Sequence, residues 1–133
     1  MSRQVRQERT GWRDQAMSDL HRKWGYDCPA IDIDFLMLEY DLGEPIALVE
    51  YKNEHAKPQV ASHPSYRALI SLGNRASLPV FCVRYADDFS WWKIVPLNDH
   101  AKEHCPARIK MTQQEYISFL YGLRGREYKG PGQ

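Results

Sequence analysis

Asp34, Glu50 and Lys52 are the residues best suited to chemistry in this chain, because each is a charged group among large apolar neighbours. Asp34 lies within the segment IDIDFLML, and Glu50 and Lys52 end the segment ALVEYK. A carboxylate in apolar surroundings shifts its pKa or needs a partner charge. Two carboxylates and one lysine leave excess negative charge, which a divalent cation would balance. Mg²⁺ suits such a group because it binds one or two protein carboxylates, keeps several waters and leaves positions for phosphate oxygens.

The spacing of these residues allows them to meet at one point. Glu50 and Lys52 are two positions apart, so a strand places both side chains on the same face. The separation between Asp34 and Glu50 leaves room for the rest of one strand, a turn and a return strand. Lys52 would then orient a water or offset negative charge on a phosphate. A cation, an activated water and a nearby positive group are what metal-assisted hydrolysis of a phosphodiester requires.

An antiparallel hairpin is predicted to carry these residues. Residues 31–40 and 46–52 are rich in large apolar side chains, lack a helical period and flank a turn-forming segment. In the first strand Asp32 shares a face with Asp34, so Asp32 is an alternative metal ligand. The apolar surroundings predict that both strands are at least half buried.

The remaining elements follow from hydrophobic periodicity. Helices are predicted over 12–24, 63–75 and 112–123, a buried strand over 78–85 and a further strand over 90–97. The order predicts a single α/β domain with a mixed β-sheet flanked by helices, over residues 12–124. A flexible N-terminal arm over 1–11 and a flexible C-terminal tail over 125–133 are expected beside it.

The sequence Asp34…Glu50-Tyr51-Lys52 resembles the D…(D/E)-x-K signature of the PD-(D/E)xK nuclease superfamily, found in restriction endonucleases, Holliday-junction resolvases and phage exonucleases. The order of elements over residues 12–86 is also similar. The resemblance implies a restriction-endonuclease-like fold and a small, phage-type nuclease that hydrolyses DNA with Mg²⁺ or Mn²⁺. It implies that Asp34, Glu50 and the backbone carbonyl of Tyr51 bind the metal, and that Lys52 is the catalytic lysine.

One feature differs from the superfamily pattern, and two other interpretations of the residues remain open. The superfamily core usually has three strands before its second helix, so a short strand near residues 24–28 would have to supply the third. A non-catalytic nucleic-acid-binding or assembly module on the same fold is the alternative function, and Lys52 beside Glu50 is the feature that separates the two. A surface ion pair on an edge strand is the purely structural interpretation.

The charge distribution locates the expected DNA contacts. The net charge is only +1, but residues 27–54 carry eight acidic residues against Lys52 alone, and the flanking segments are basic. Acidic residues therefore gather where a cation would lie, with basic residues on either side. The candidate contacts to DNA phosphate are Lys57, Arg67, Arg75 and His55. A chain of 133 residues has little room for a separate recognition domain, so we expect either low sequence specificity or a homodimer that builds the DNA-binding groove.

The cysteines and hydropathy indicate the compartment. Three widely spaced cysteines favour a reducing cytoplasm over a disulfide framework, and no apolar run is long enough to span a membrane. The localisation expected is therefore cytoplasmic, in the host cell if the chain is phage-encoded. Zinc binding by His100, His104 and Cys105 has no matching ligand cluster, and their segment is predicted to be a polar connector.

Overall fold

Strand-forming segments alternate with helical ones along most of the chain, and the strands assemble into one mixed sheet. The computed structural model describes residues 15–57, 62–105 and 109–130, without the side chain of Ile109. Within these residues the elements are α1 (Gln15–Lys23), β1 (Phe35–Glu39), β2 (Glu44–Asn53), α2 (Pro64–Ala76), β3 (Val80–Tyr85), β4 (Trp92–Pro96), α3 (Asp99–His104), β5 (Ile109–Met111) and α4 (Gln113–Leu123). The predicted α/β class with a mixed sheet is confirmed.

The strand order in the sheet follows the chain, β1-β2-β3-β4-β5. β2 and β3 are parallel and are connected through α2, whereas the other neighbours are antiparallel. The predicted hairpin of β1 and β2 is therefore confirmed. Residues 15–32 belong to the first of two compact units, and the whole sheet belongs to the second.

Both faces of the central strands are covered. On one face Val49, Phe81 and Ile94 pack with Tyr116 of α4 in the larger core cluster. On the other face Leu48 and Val80 pack against Leu69 of α2. The buried run in β3 explains why that segment is apolar at nearly every position. The free ends of β2 and β3 extend beyond the contact with Leu69, and the charged residues of β2 lie there.

The first strand is shorter than predicted and only just meets the prediction of half burial. It begins at Phe35, and residues 31–33 have no regular structure. Phe35 and Leu36 are about half exposed, at 48% and 49%. This exposure arises because β1 is the edge strand and β2 is its only described neighbour in the sheet. The central strand β2 meets the prediction fully, since Leu48 and Val49 are buried.

Two local predictions need correction, and one strand was not predicted. Residues 24–28 form turns, not the short strand that would complete the superfamily core. The segment predicted to be a polar connector contains α3, which begins at Asp99. The N-cap residue Asn98 accepts a hydrogen bond from the backbone N–H of Ala101 with its side chain. β5 was not predicted, because three residues are too short for a periodicity to be recognised.

The two ends of the described chain have contacts of their own. In the first unit α1 is followed by Gly25, whose φ of 94° is in the left-handed region that favours glycine. In the second unit residues 126–130 lack regular secondary structure, but Arg126 pairs with Glu39 and the ring of Tyr128 packs on Tyr121. The predicted arm over 1–11 lies outside the described residues. None of the described helices is both long enough and apolar enough to cross a membrane.

Candidate metal centre

The register of the hairpin brings Asp34 to Glu50. Phe35 is opposite Val49 in the antiparallel pair, so the preceding residue Asp34 lies opposite Glu50 on the same face. The carboxylate Oδ2 of Asp34 accepts a hydrogen bond from the backbone N–H of Tyr51 at 3.1 Å. The Asp34 side chain thus accepts the hydrogen bond that a backbone carbonyl of β1 would accept if the ladder continued. This fixes one carboxylate beside the end of β2.

Glu50 and Lys52 form a close pair on that face. The Nζ of Lys52 lies 3.2 Å from Oε1 of Glu50, and the two side chains are only 24% and 17% exposed. The i,i+2 spacing on a strand places both on one side, as the sequence predicted. The three candidate residues of the sequence are therefore brought together at one end of the sheet.

The electrostatics of this group favour a further cation. Burial is the largest cause of the raised pKa of Glu50, and the negative charge of Asp34 raises the pKa of Glu50 further. Lys52 opposes both effects through its hydrogen bond and charge. One lysine faces two carboxylates, so the group retains excess negative charge. A divalent cation would relieve that repulsion, which makes the donor set suitable for Mg²⁺ or Mn²⁺.

Tyr51 anchors the strand from the opposite face. Its hydroxyl lies 2.6 Å from the hydroxyl of Tyr116, and its ring packs edge-on against Phe35 at 5.0 Å. Burial raises the pKa of Tyr51, so its hydroxyl stays neutral. The N–H and C=O of one strand residue point toward the same neighbouring strand. The carbonyl of Tyr51 therefore faces the side where its N–H meets Asp34.

Neutral side chains of β3 and α2 flank the group. Cys82 is opposite Glu50 in the parallel register, and its Sγ lies 3.5 Å from the hydroxyl of Tyr66. Burial is the main cause of the raised pKa of both Cys82 and Tyr66. Cys82 is buried, as expected within the predicted buried strand over 78–85. No sequence pattern predicted that Tyr66 lies near Glu50, because only the packing of α2 on β2 and β3 makes them neighbours.

A second, exposed cluster lies after β2. The Nε2 of His55 is 2.8 Å from Oδ2 of Asp87 and 3.3 Å from Oε1 of Glu54. Asn53 also donates to Asp87, and the hydrogen bonds from Asn53 and His55 lower the pKa of Asp87. Among the described residues this is the group of three ligand-type side chains close enough to share an ion. His55, predicted to contact DNA phosphate, is instead engaged with two carboxylates.

The remaining candidates are the alternative ligand Asp32, three basic residues and the ligand-type residues in and after α3. Asp32 belongs to the first compact unit, whereas Asp34 belongs to the second. Lys57, Arg67 and Arg75 are exposed, as residues that contact phosphate would be. Both arginines lie on α2. In the described part of the chain the histidines of α3 and Cys105 do not form a group that could hold a metal.

Trp91 directly precedes β4 and Trp92 begins it, and the two side chains differ in burial. Trp92 is buried at 8% exposure in the larger core cluster, and Trp91 is partly exposed. The three cysteines are free, Cys28 exposed and Cys82 and Cys105 buried.

Comparisons with known proteins give no relative for this chain. No protein-family model, no curated protein and no solved structure matches it.

Proposed function

We propose that this protein is a divalent-metal-dependent nuclease that hydrolyses DNA phosphodiester bonds, with a restriction-endonuclease-like fold. The observation that carries the proposal is the meeting of Asp34, Glu50 and Lys52 at the end of β2, where Lys52 lies 3.2 Å from Glu50. The order of hairpin, α2 and parallel β3 supports the fold assignment. A binding module has no need of a lysine within a half-buried pair of carboxylates.

Each residue has a defined role in the proposed reaction. Asp34 and Glu50 hold the cation, and the carbonyl of Tyr51 completes the protein ligands. The cation, when bound, supplies Lewis acidity that polarises a phosphate ester and makes water more acidic. Lys52 orients the attacking water or offsets the charge that develops on the phosphate. The buried hydroxyl pair of Tyr51 and Tyr116 keeps the end of β2 in place.

A plasmid nicking assay tests the proposal. Wild-type protein should convert supercoiled DNA to nicked or linear forms with Mg²⁺ or Mn²⁺, and not in EDTA. Glu50→Gln and Lys52→Ala should each lower the rate by about 10²–10³-fold, the usual cost of losing one transition-state contact. Glu103→Gln and Lys102→Ala are the matched controls, because both residues are exposed on α3 and have no role in the proposed site.

Two outcomes contradict the proposal. Equal cleavage by wild type and both site variants would remove the assignment of the centre. Binding of DNA with no cleavage of duplex, single-stranded or branched substrates would favour the non-catalytic module. The site variants also exclude a contaminating nuclease, since cleavage by a contaminant would be unchanged by Glu50→Gln. The control variants show that substitution of an exposed charge does not by itself lower the rate.

A further inference from the structure

Four basic residues lie side by side across four strands of the sheet. The register pairs Lys52 of β2 with Arg84 of β3, Arg84 with Lys93 of β4, and Lys93 with Lys110 of β5. Residues opposite one another in a ladder point to the same face, so all four side chains share the face of Glu50. Strands lie about 4.8 Å apart, so this basic row spans roughly 14 Å.

The basic row is electrostatically unfavourable in the protein alone. Like charges directly opposite across strands are destabilising. Lys52 is compensated by Glu50, and the guanidinium of Arg84 donates to the backbone carbonyls of Asn53 and Ala56. Among the described residues, no carboxylate forms an ion pair with Lys93 or Lys110. The same-face positions two residues before and after Lys93 carry the uncharged Trp91 and Val95, and Lys110 lies between Ile109 and Met111 in the sequence.

The outer half of the basic row is open to a ligand. Lys93 is partly exposed and Lys110 is exposed, and the Nζ of Lys110 lies 4.5 Å from the centre of the Trp91 ring. On this face the contact of Leu69 with Leu48 and Val80 lies further along the strands than the row. A line of cations on an open sheet face complements the phosphate backbone of a nucleic-acid strand.

We infer that the basic row is a track for the backbone of a DNA strand, which it leads to the metal centre. The row begins at Lys52, so a strand lying along Lys110, Lys93 and Arg84 reaches the carboxylates at its end. Phosphate contacts of this kind set position and not sequence, which fits a nuclease of low sequence specificity. The inference rests on the proposed function, because that function supplies DNA as the ligand.

Salt-dependent DNA binding by the variant Lys93→Ala/Lys110→Ala tests the inference. The control is Lys102→Ala/Lys129→Ala, which removes the same charge from exposed residues of α3 and of the segment after α4. The probe is a fluorescein-labelled oligodeoxynucleotide, as single strand and as duplex, followed by anisotropy in EDTA over a range of NaCl concentrations. EDTA prevents metal-dependent cleavage, so binding alone is measured.

The expected result is a loss of affinity of about tenfold or more at low salt for the row variant. The plot of log K against log salt should also become shallower, by about 0.7 per lost contact for single strands and about 0.9 for duplex. The control should match wild type. Both variants should fold normally, since the row variant removes mutually repelling charges and the control residues are exposed.

The outcomes separate this inference from the proposed function. Equal affinities and slopes for the row variant and the control, with both forms of the oligonucleotide, overturn the track. If Mg²⁺-dependent cleavage persists in that case, the proposed nuclease activity is kept and only the track is contradicted. DNA binding that depends on Lys93 and Lys110, without any cleavage, supports the track and contradicts the proposed nuclease activity.

Discussion

At the scale of single residues, the close approach of Asp34 and Glu50 is imposed by the backbone. The two carboxylates repel one another, and the charge of Asp34 adds to the raised pKa of Glu50. Asp34 is held by the N–H of Tyr51, and Glu50 is held by its position in β2 and by Lys52. A cation bound between the two carboxylates would offset this repulsion, and perturbed pKa values of this kind are common at functional sites.

The raised pKa of Glu50 predicts how metal binding depends on pH. A proton on Glu50 competes with Mg²⁺, because the cation binds the ionised carboxylate. Since the pKa of Glu50 lies above its ordinary value of 4.5, Mg²⁺ affinity should begin to fall at a higher pH than an unperturbed glutamate would allow. Below that pKa the loss approaches about tenfold per pH unit for one competing proton. Isothermal titration of wild type with Mg²⁺ between pH 8 and pH 5, with unfolding checked at each pH, measures this.

The exposed second cluster provides the control for that titration. Asp87→Asn should leave the pH profile unchanged, because Asp87 lies outside the Asp34 and Glu50 pair. The pKa of Asp87 is lowered, so Asp87 remains ionised over the whole range. If Glu50→Gln keeps the Mg²⁺ affinity and the pH profile of wild type, Glu50 is not a ligand. A profile abolished by Asp87→Asn would move the site to the second cluster.

At the scale of elements, the sequence was most informative where strong periodicity or a cap marked a segment. The hairpin, α2, β3 and α4 were predicted from their apolar spacing, and α4 begins with a capping box formed by Thr112 and Glu115. The juxtaposition of Glu50 and Lys52 followed from the strand period alone. These features are local, so a sequence contains them directly.

The missed features depend on contacts distant along the chain. The basic row requires the register of four strands, and no local pattern in the sequence sets Lys110 opposite Lys93. The exposure of β1 depends on its position at the sheet edge. α3 is stabilised through Asn98, whose side chain also accepts from Val80 and donates to Leu78, both on or next to β3. Tertiary packing, and not propensity, decides such elements.

The packing of α2 on β3 gives a prediction at this scale. A Cβ added at Gly73 would lie 2.2 Å from Cγ2 of Val80, so Gly73→Ala forces the helix away from the strand. We expect a loss of about 1–3 kcal/mol in the free energy of unfolding. Gly122→Ala in α4 is the matched control, because a Cβ there meets nothing within 4 Å.

Urea denaturation of both variants measures this effect. Gly122→Ala should be neutral or stabilising by up to about 1 kcal/mol, since alanine favours a helix over glycine. Both substitutions change a helical glycine to alanine, so their difference reports the approach of α2 to β3. Equal effects on the free energy of unfolding would show that α2 packs less closely on β3.

At the scale of the whole molecule, the net charge of +1 conceals two regions of opposite charge. Both regions lie on one face of the sheet in the second unit. The carboxylates of Asp34 and Glu50 lie at one end of a sheet face, and the basic row crosses the same face from Lys52 outward. A cation bound to the carboxylates would turn this end of the face from mixed to positive. Metal binding and DNA binding are then expected to support each other through charge.

Metal binding should also raise the stability of the folded chain. The two carboxylates are distant in sequence and are brought together only by the hairpin, so the cation binds the folded state in preference to the unfolded one. At a free Mg²⁺ concentration of about 100 times Kd, the gain is about 2.7 kcal/mol, which raises the Tm by several degrees. Asp34→Asn should abolish the increase, whereas Asp87→Asn should keep it. Thermal unfolding in Mg²⁺ and in EDTA distinguishes the two clusters: an increase that survives Asp34→Asn and disappears in Asp87→Asn would place the cation at Glu54, His55 and Asp87.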